Sequence, residues 1–143
     1  MTPTVRRTAT DADWEAAKAV RFEVFVDEQQ VPAELELDEH DAEARHWLLE
    51  VAGEAAGTAR VVEKPDGTWK IGRVAIRASF RGQRLGALVM RTILAEAQAA
   101  GAPGAVLESQ VHAIGFYEKL GFSAEGPEFM DAGIPHVLMQ HRF

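Results

Sequence analysis

From Val74 to Leu88 the chain reads Val-Ala-Ile-Arg-Ala-Ser-Phe-Arg-Gly-Gln-Arg-Leu-Gly-Ala-Leu, an apolar run that passes through a basic, glycine-containing turn into an amphipathic one. A strand that leads through such a turn into a helix leaves the first backbone N–H groups of the helix unpaired, and these donors, with the helix dipole, make an anion site. Gly82, Gly86 and Ala87 are small enough to let a phosphate approach the backbone, and Arg81 and Arg84 add positive charge. The chemistry this suits is the holding of a pyrophosphate. Neither GxxxxGK[ST] nor GxGxxG occurs, so P-loop nucleotide hydrolysis and a Rossmann dinucleotide site are not indicated. By itself the segment also reads as a plain strand-to-helix corner with exposed arginines.

The chain has no cysteine, which excludes a disulfide framework, a thiolate zinc site and a cysteine nucleophile. Any group transfer must then be direct or use another nucleophile. The histidines His40, His46, His112, His136 and His141 show no i, i+4 pair of the HExxH kind, and no metal is expected.

Charge is unevenly placed. The net charge of -7, from 22 acidic and 15 basic residues, argues against general nucleic-acid binding. Residues 23–50 hold ten acids (Glu23, Asp27, Glu28, Glu34, Glu36, Asp38, Glu39, Asp41, Glu43, Glu50) against Arg45, and are expected to be strongly negative. Residues 67–95 hold no acid but carry Lys70, Arg73, Arg77, Arg81, Arg84 and Arg91, a local field for a multiply charged anion. Two solvated faces that balance each other are the plain alternative.

The elements that position these residues follow from periodicity. With 143 residues, 47% hydrophobic and 26% charged, the chain is expected to form a single domain over 1–143. Residues 4–8 (TVRRT) predict a short strand. Thr10 or Asp11 caps a helix with Trp14, Ala17, Val20, Arg21, Val24 and Phe25 on one face, ending before Pro32. Three strands follow at 46–51, 58–62 and 69–76, joined by turns at Ala52-Gly53 to Gly57 and Pro65-Asp66-Gly67. A helix from Leu85 ends near Gly101 and Pro103, a strand covers 106–108, a short helix 112–120, and strands 122–125 and 136–140 close the chain, with Gly126-Pro127 and Gly133-Ile134-Pro135 read as turns. The order β-α-β-β-β-α-β-α-β-β predicts a mixed α/β sheet. No apolar leader and no membrane-length apolar stretch is seen, so a cytoplasmic location without membrane contact is expected. Apolar strand edges near the C-terminus would let two copies pair as a homodimer.

Arg81-Gly82-Gln83-Arg84-Leu85-Gly86 resembles the phosphate-binding motif Gln/Arg-x-x-Gly-x-Gly/Ala of the GNAT superfamily of acetyl-CoA-dependent N-acetyltransferases, with Arg84 where glycine is usual. Phe116-Tyr117-Glu118-Lys119-Leu120-Gly121-Phe122 is similar to a second family motif, Phe-Tyr-x-x-x-Gly-Phe. Val24 to Gln29, Asp38, Asp41, His46, Ser109-Gln110 and Gly133 to His136 look like the small bacterial ElaA-type branch. The resemblance covers nearly the whole chain and implies a mostly antiparallel sheet of about six to seven strands flanked by about four helices. It implies an N-acetyltransferase with acetyl-CoA as co-substrate and an amine, on a small molecule or a protein, as acceptor.

The same resemblance assigns Val74, Ala75, Ile76, Arg81, Gly82, Gln83, Arg84, Leu85, Gly86, Ala87 and Gln110 to the cofactor, Gln110 standing where many members have asparagine. Tyr117, the one tyrosine, falls on the general-acid position; packing beside Phe116 and Phe122 is its structural alternative. The amine must lose a proton, and a lysine-type ammonium is neutral only about four times in ten thousand at pH 7. The fourth strand offers no carboxylate, so Glu28 is the expected acceptor, with His46, Glu108 and His112 as alternatives. Phe25, Gln29, His46, His112 and His136 are expected at the acceptor substrate, for which the acidic stretch favours a cation. A non-catalytic acyl-CoA-binding or sensor module is the alternative function.

Overall fold

The computed structural model describes residues 2–143 and joins seven strands in one sheet. In chain order these residues form β1 (Thr4–Arg7), α1 (Asp11–Arg21), a π-helical continuation (Phe22–Glu28), α2 (Ala33–Glu36), β2 (Arg45–Val51), β3 (Glu54–Glu63) and β4 (Trp69–Ile76). Then come α3 (Leu85–Ala99), β5 (Gly104–Gln110), α4 (Ile114–Glu118), β6 (Ser123–Asp131) and β7 (Ile134–Arg142). The strand order is β1-β2-β3-β4-β5-β7-β6, and every neighbouring pair is antiparallel except β4 with β5. This is the mixed α/β sheet that the element order implies, and it is mostly antiparallel with four α-helices, as the family resemblance implies.

The helices cover both faces. On one, Val89, Met90, Ile93 and Ala97 of α3 are fully buried in a cluster with Trp47, Trp69, Ile71, Leu107, Phe122 and Met139. On the other, Val20 of α1 and Val24 of the π segment close over Ala75. Thr10 rather than Asp11 caps α1: its hydroxyl accepts from the Asp13 N–H, and the Asp13 carboxylate accepts from the Thr10 N–H.

Several boundaries differ from the sequence reading. The first helix does not run on as α-helix; after Arg21 it widens, with Gln29 N–H bonded to Val24 C=O and Val31 N–H to Phe25 C=O, one and two residues beyond the α spacing. β3 starts at Glu54, after a two-residue turn in which Ala52 and Gly53 both have positive φ. Gly57 is therefore a strand residue. It is glycine because of crowding, since a Cβ there would lie 2.7 Å from Ile76 Cδ1 and 2.8 Å from the Ala75 carbonyl. β5, β6 and β7 also run longer than expected; Gly126-Pro127 lies inside β6 at a register shift, and the hairpin turn is Ala132-Gly133.

Candidate active site

β4 and β5 run parallel and pair only at Trp69/Ala105, Lys70/Val106 and Ile71/Leu107. Beyond these the strands part, so residues 72–76 and 108–110 face each other across a gap at the C-terminal ends of both. The gap opens into a cleft of about 440 Å³ whose lining includes Val74, Glu108, Gln110, Tyr117, Asp131 and His136.

The parting has a local cause in β4. Thr58 pairs with Ala75 but Arg60 pairs with Gly72, so one extra residue is accommodated at Arg73-Val74. Arg73 takes a left-handed conformation, φ 52°, which costs a residue with a side chain of the order of 1 kcal/mol. Its guanidinium is anchored in return: it donates to the Glu36 carbonyl at 3.0 and 3.2 Å and pairs with the carboxylates of Glu36 and Asp38 at 3.2 and 3.4 Å.

Those acids belong to a larger network under the cleft. Arg21, wholly buried on α1, pairs with Glu36 at 3.1 Å and Asp41 at 2.7 Å, and Arg60 of β3 pairs with Asp38 at 2.7 Å and Asp41 at 3.1 Å. Burial pushes the Glu36 carboxyl up despite Arg73 and Arg21. Burial also works against the Asp41 carboxylate, but hydrogen bonds from Arg21, the Asp38 N–H and Arg60 hold it well below the usual carboxylate range. The stretch 23–50 is thus far less negative than its composition suggests. Glu23 and Glu28 pair with Arg77 and Arg81 as well, so the acidic stretch and the basic stretch partly offset each other.

The Arg81–Ala87 segment forms the strand-to-helix turn expected from the sequence, with one difference in its backbone. Gly82 has φ 82° and is followed by Arg84, also left-handed at φ 59°, as N-cap of α3. Glycine is at ease in that conformation, so Arg84 is not part of the helix; its N–H belongs to the turn. The N-cap offers no side-chain hydrogen bond and the first turn of α3 contains no acid, which leaves its N–H groups open. Gly86 lies against Phe116, where a Cβ would approach Cζ to 3.3 Å, so the Gly-containing and aromatic motifs are in contact. Beside them Arg84, Arg91 and Lys119 line a recess of about 430 Å³ with Ala87, Phe116 and Leu120. Arg91 belongs to the basic stretch read from the sequence, whereas Lys119, a position inside the Phe-Tyr motif, is not singled out there as a charge for the anion.

The remaining expected site residues are distributed as follows. Val74 lines the cleft, Ala75 faces α1 and Ile76 packs into the main core, its carbonyl accepting from Arg81 Nε at 2.9 Å. Tyr117 lines the cleft with its ring edge-on to Phe116 and Phe122, and burial alone pushes its phenol up to about 12. Gln110 Nε2 donates to Gln29 Oε1 at 2.8 Å and its Oε1 meets His112 Nε2 at 2.7 Å, a chain that joins the π segment to the end of β5. Phe25, Gln29 and His136 reach the cleft. Glu28 stands apart from it, its carboxylate held below the usual range by two hydrogen bonds from Arg81. His46 is buried between Trp14 and the Asp41 carbonyl, away from the cleft lining, and burial holds its imidazole below the usual range.

Residues 8–143 match the acetyltransferase (GNAT) domain family. The chain belongs to the GNAT acetyltransferases. This GNAT domain is 40% identical over 121 residues to YjcF, an uncharacterized N-acetyltransferase of Bacillus subtilis, with 84% of this chain and 86% of that protein covered. Among solved structures it is similar to Escherichia coli ElaA, with 25% identity, a TM-score of 0.88 and 99% and 100% of the two chains covered. It is also similar to an acyl-CoA N-acyltransferase from Pseudomonas aeruginosa, with 28% identity, a TM-score of 0.86 and 98% of each chain covered. The protein is therefore an acyltransferase of the GNAT type. No helix among its described residues is long and apolar enough to cross a membrane.

Proposed function

We propose that the protein moves an acetyl group from acetyl-CoA directly to a cationic primary amine, with both substrates bound together at the β4/β5 gap. The observation that carries this reading is the gap itself, where β4 and β5 cease to pair with each other and which Val74, Gln110 and Tyr117 line. Those parts fit acetyl-CoA: the N–H groups of the Arg81–Ala87 turn face its pyrophosphate, Arg84, Arg91 and Lys119 meet its further negative charge, and Val74 with Gln110 flanks the pantetheine arm. Bound there, acetyl-CoA supplies an activated acyl group as a thioester. No cysteine is present to take that group, so the amine attacks the carbonyl directly.

Tyr117 gives its phenol proton to the leaving thiolate. Its raised pKa keeps it protonated throughout the working range, and a held donor of this kind contributes about 10²–10⁴-fold to the rate. Glu28, expected from the sequence to take the amine proton, serves on this reading to tie the π segment to the phosphate turn, because Arg81 already engages both its oxygens. Support for a cationic acceptor comes from Asp131, a cleft carboxylate with no ion-pair partner among the described residues, rather than from the largely arginine-paired acids of the stretch 23–50.

The absence of a carboxylate along residues 71–76 of β4 favours a second reading, an acyl-CoA-binding module without turnover. Thiol release over a panel of mono- and diamines separates them: release with a preference for doubly charged amines supports transfer, and acetyl-CoA binding without release on any amine supports the binding module.

A further inference from the structure

We infer that His136 of β7 is the group that takes the proton from the acceptor amine. The inference rests on the transferase reading above. The His136 Nδ1 lies 2.7 Å from the Ile134 carbonyl. A carbonyl oxygen can only accept, so Nδ1 carries the hydrogen, and in the neutral ring Nε2 is the free lone pair. Nε2 makes no hydrogen bond to the described residues, while the ring, 8% exposed, lines the cleft and stacks on Phe129 with centroids 5.9 Å apart. The imidazole is thus fixed in tautomer and in plane, with its basic nitrogen unspent.

Register places it beside the reaction. His136 pairs directly with Gln110, the last residue of β5, so it stands one strand behind the wall of the gap. Directly opposed residues share a face of a sheet, and so do residues two apart, which sets Glu108, Gln110 and Phe129 on the face of His136. The other candidates named from the sequence are engaged or lie elsewhere, and Asp131, the unpaired cleft carboxylate, is the group that pairs with the acceptor's charge. Glu28 is gripped by Arg81, Glu108 is bonded to Lys70 at 3.2 Å, the His112 Nε2 meets Gln110, and His46 lies outside the cleft. Gln110 has both ends of its amide engaged and does not compete for Nε2.

The protons balance as follows. His136 Nε2 takes one proton from the ammonium, freeing the nitrogen lone pair that forms the N–C bond. The C–S bond breaks, its electron pair goes to sulfur, and sulfur takes the Tyr117 proton. The second proton on the adduct nitrogen returns to the phenolate as the amide forms, and His136 releases its own to solvent. The ionisable groups that line the same cleft are Asp131 of β6, Glu108 of β5, Lys70 and Arg73 of β4, Arg60 of β3, Tyr117 of α4, and Glu36, Asp38 and His40 of the segment before β2.

The test compares wild type with His136→Gln and His136→Ala across pH, with acetyl-CoA affinity and thermal unfolding recorded for each. Expected for His136→Gln is a fall of about 100-fold or more in kcat/KM for the amine, loss of the acid limb of the wild-type profile, and an acetyl-CoA Kd within about threefold. Added imidazole should restore part of the His136→Ala activity in its unprotonated form. A His136→Gln enzyme with an unchanged acid limb and at least a third of wild-type kcat/KM overturns the inference while leaving the transferase reading intact. A wild-type protein that binds acetyl-CoA yet acetylates no amine overturns that reading, and this inference with it.

Discussion

Arg81 of the turn before α3 holds Glu28 of the π segment through two hydrogen bonds of 2.5 and 2.7 Å, a bidentate pair that links the turn to the segment whose Phe25 lines the cleft. Both side chains are about two-fifths exposed, so the pair is expected to add only about 0.2–1 kcal/mol to stability. Its effect should appear in binding. Glu28→Gln is expected to raise the KM for acetyl-CoA several-fold while the acid limb of the rate profile keeps its shape; steady-state kinetics from pH 6 to 9 check this, and loss of that limb would restore Glu28 as the proton acceptor.

Tyr117→Phe should lower kcat by about 10²–10³ with little change in acetyl-CoA affinity. The same residue gives a stability prediction. An acid whose folded pKa is raised, from 10.0 to about 12, favours the fold in its neutral form. That contribution is complete below pH 10 and is lost as pH rises towards 12, and a two-unit shift amounts to about 2–3 kcal/mol. Urea unfolding at pH 8 and pH 11.5 should show wild type losing about 2 kcal/mol more than Tyr117→Phe over that interval.

Arg21 is wholly buried and serves both Glu36 and Asp41. Arg21→Met would leave Glu36 in an apolar setting with Arg73 alone and remove the main partner of Asp41, at an expected cost of about 3–5 kcal/mol. The network also makes the fold acid-sensitive. Asp41 is held below its usual range, so its contribution is present at neutral pH and fades as the carboxylate protonates, and His46, held below 6.5 by burial, loses its contribution as pH falls beneath that value. Denaturant midpoints from pH 7 to 2 should decline in wild type, first below 6.5 with His46 and then below 3.8 with Asp41, and decline less steeply in Arg21→Met.

Arg84 carries two effects of opposite sign. Replacing it with glycine relieves a left-handed backbone and should stabilise the fold by up to about 1 kcal/mol, after the added chain entropy of glycine is set against it. The same change removes a cation from the phosphate recess and should weaken acetyl-CoA binding several-fold. Thermal melting and calorimetry on one sample read both; affinity unchanged in Arg84→Gly would take its guanidinium out of the phosphate site.

Much of this was legible in the chain because it depends on local pattern. The alternation of Trp69 and Ile71 marks β4, and the spacing of Val89, Ile93 and Ala97 marks α3, since each element has one face to bury. The bulge at Arg73 was also written there: the core-facing residues run 69, 71, 74, 76, a shift of phase by one residue at Gly72-Arg73. What the sequence could not show was long-range pairing. Glu36 reads as one acid among ten until the fold brings Arg21 and Arg73 to it, and Glu23, Glu28, Asp38 and Asp41 likewise gain arginine partners only in the folded chain. The π segment was hidden because Val24 and Phe25 keep the apolar stripe of an ordinary helix while the backbone widens beneath them. His136 was placed at the substrate, but its tautomer depends on a carbonyl two residues back that only the β6–β7 hairpin puts in reach.

The central claim is that acetyl-CoA binds with its phosphates on the α3 N-terminus and its thioester in the β4/β5 gap. Calorimetric titration of acetyl-CoA into wild type and into an Arg84→Glu, Arg91→Glu variant tests it most directly. Expected is micromolar, one-to-one binding that weakens at least tenfold in the variant and with added salt. Wild-type protein that releases no heat with acetyl-CoA, or a variant that binds it equally well, would contradict the account.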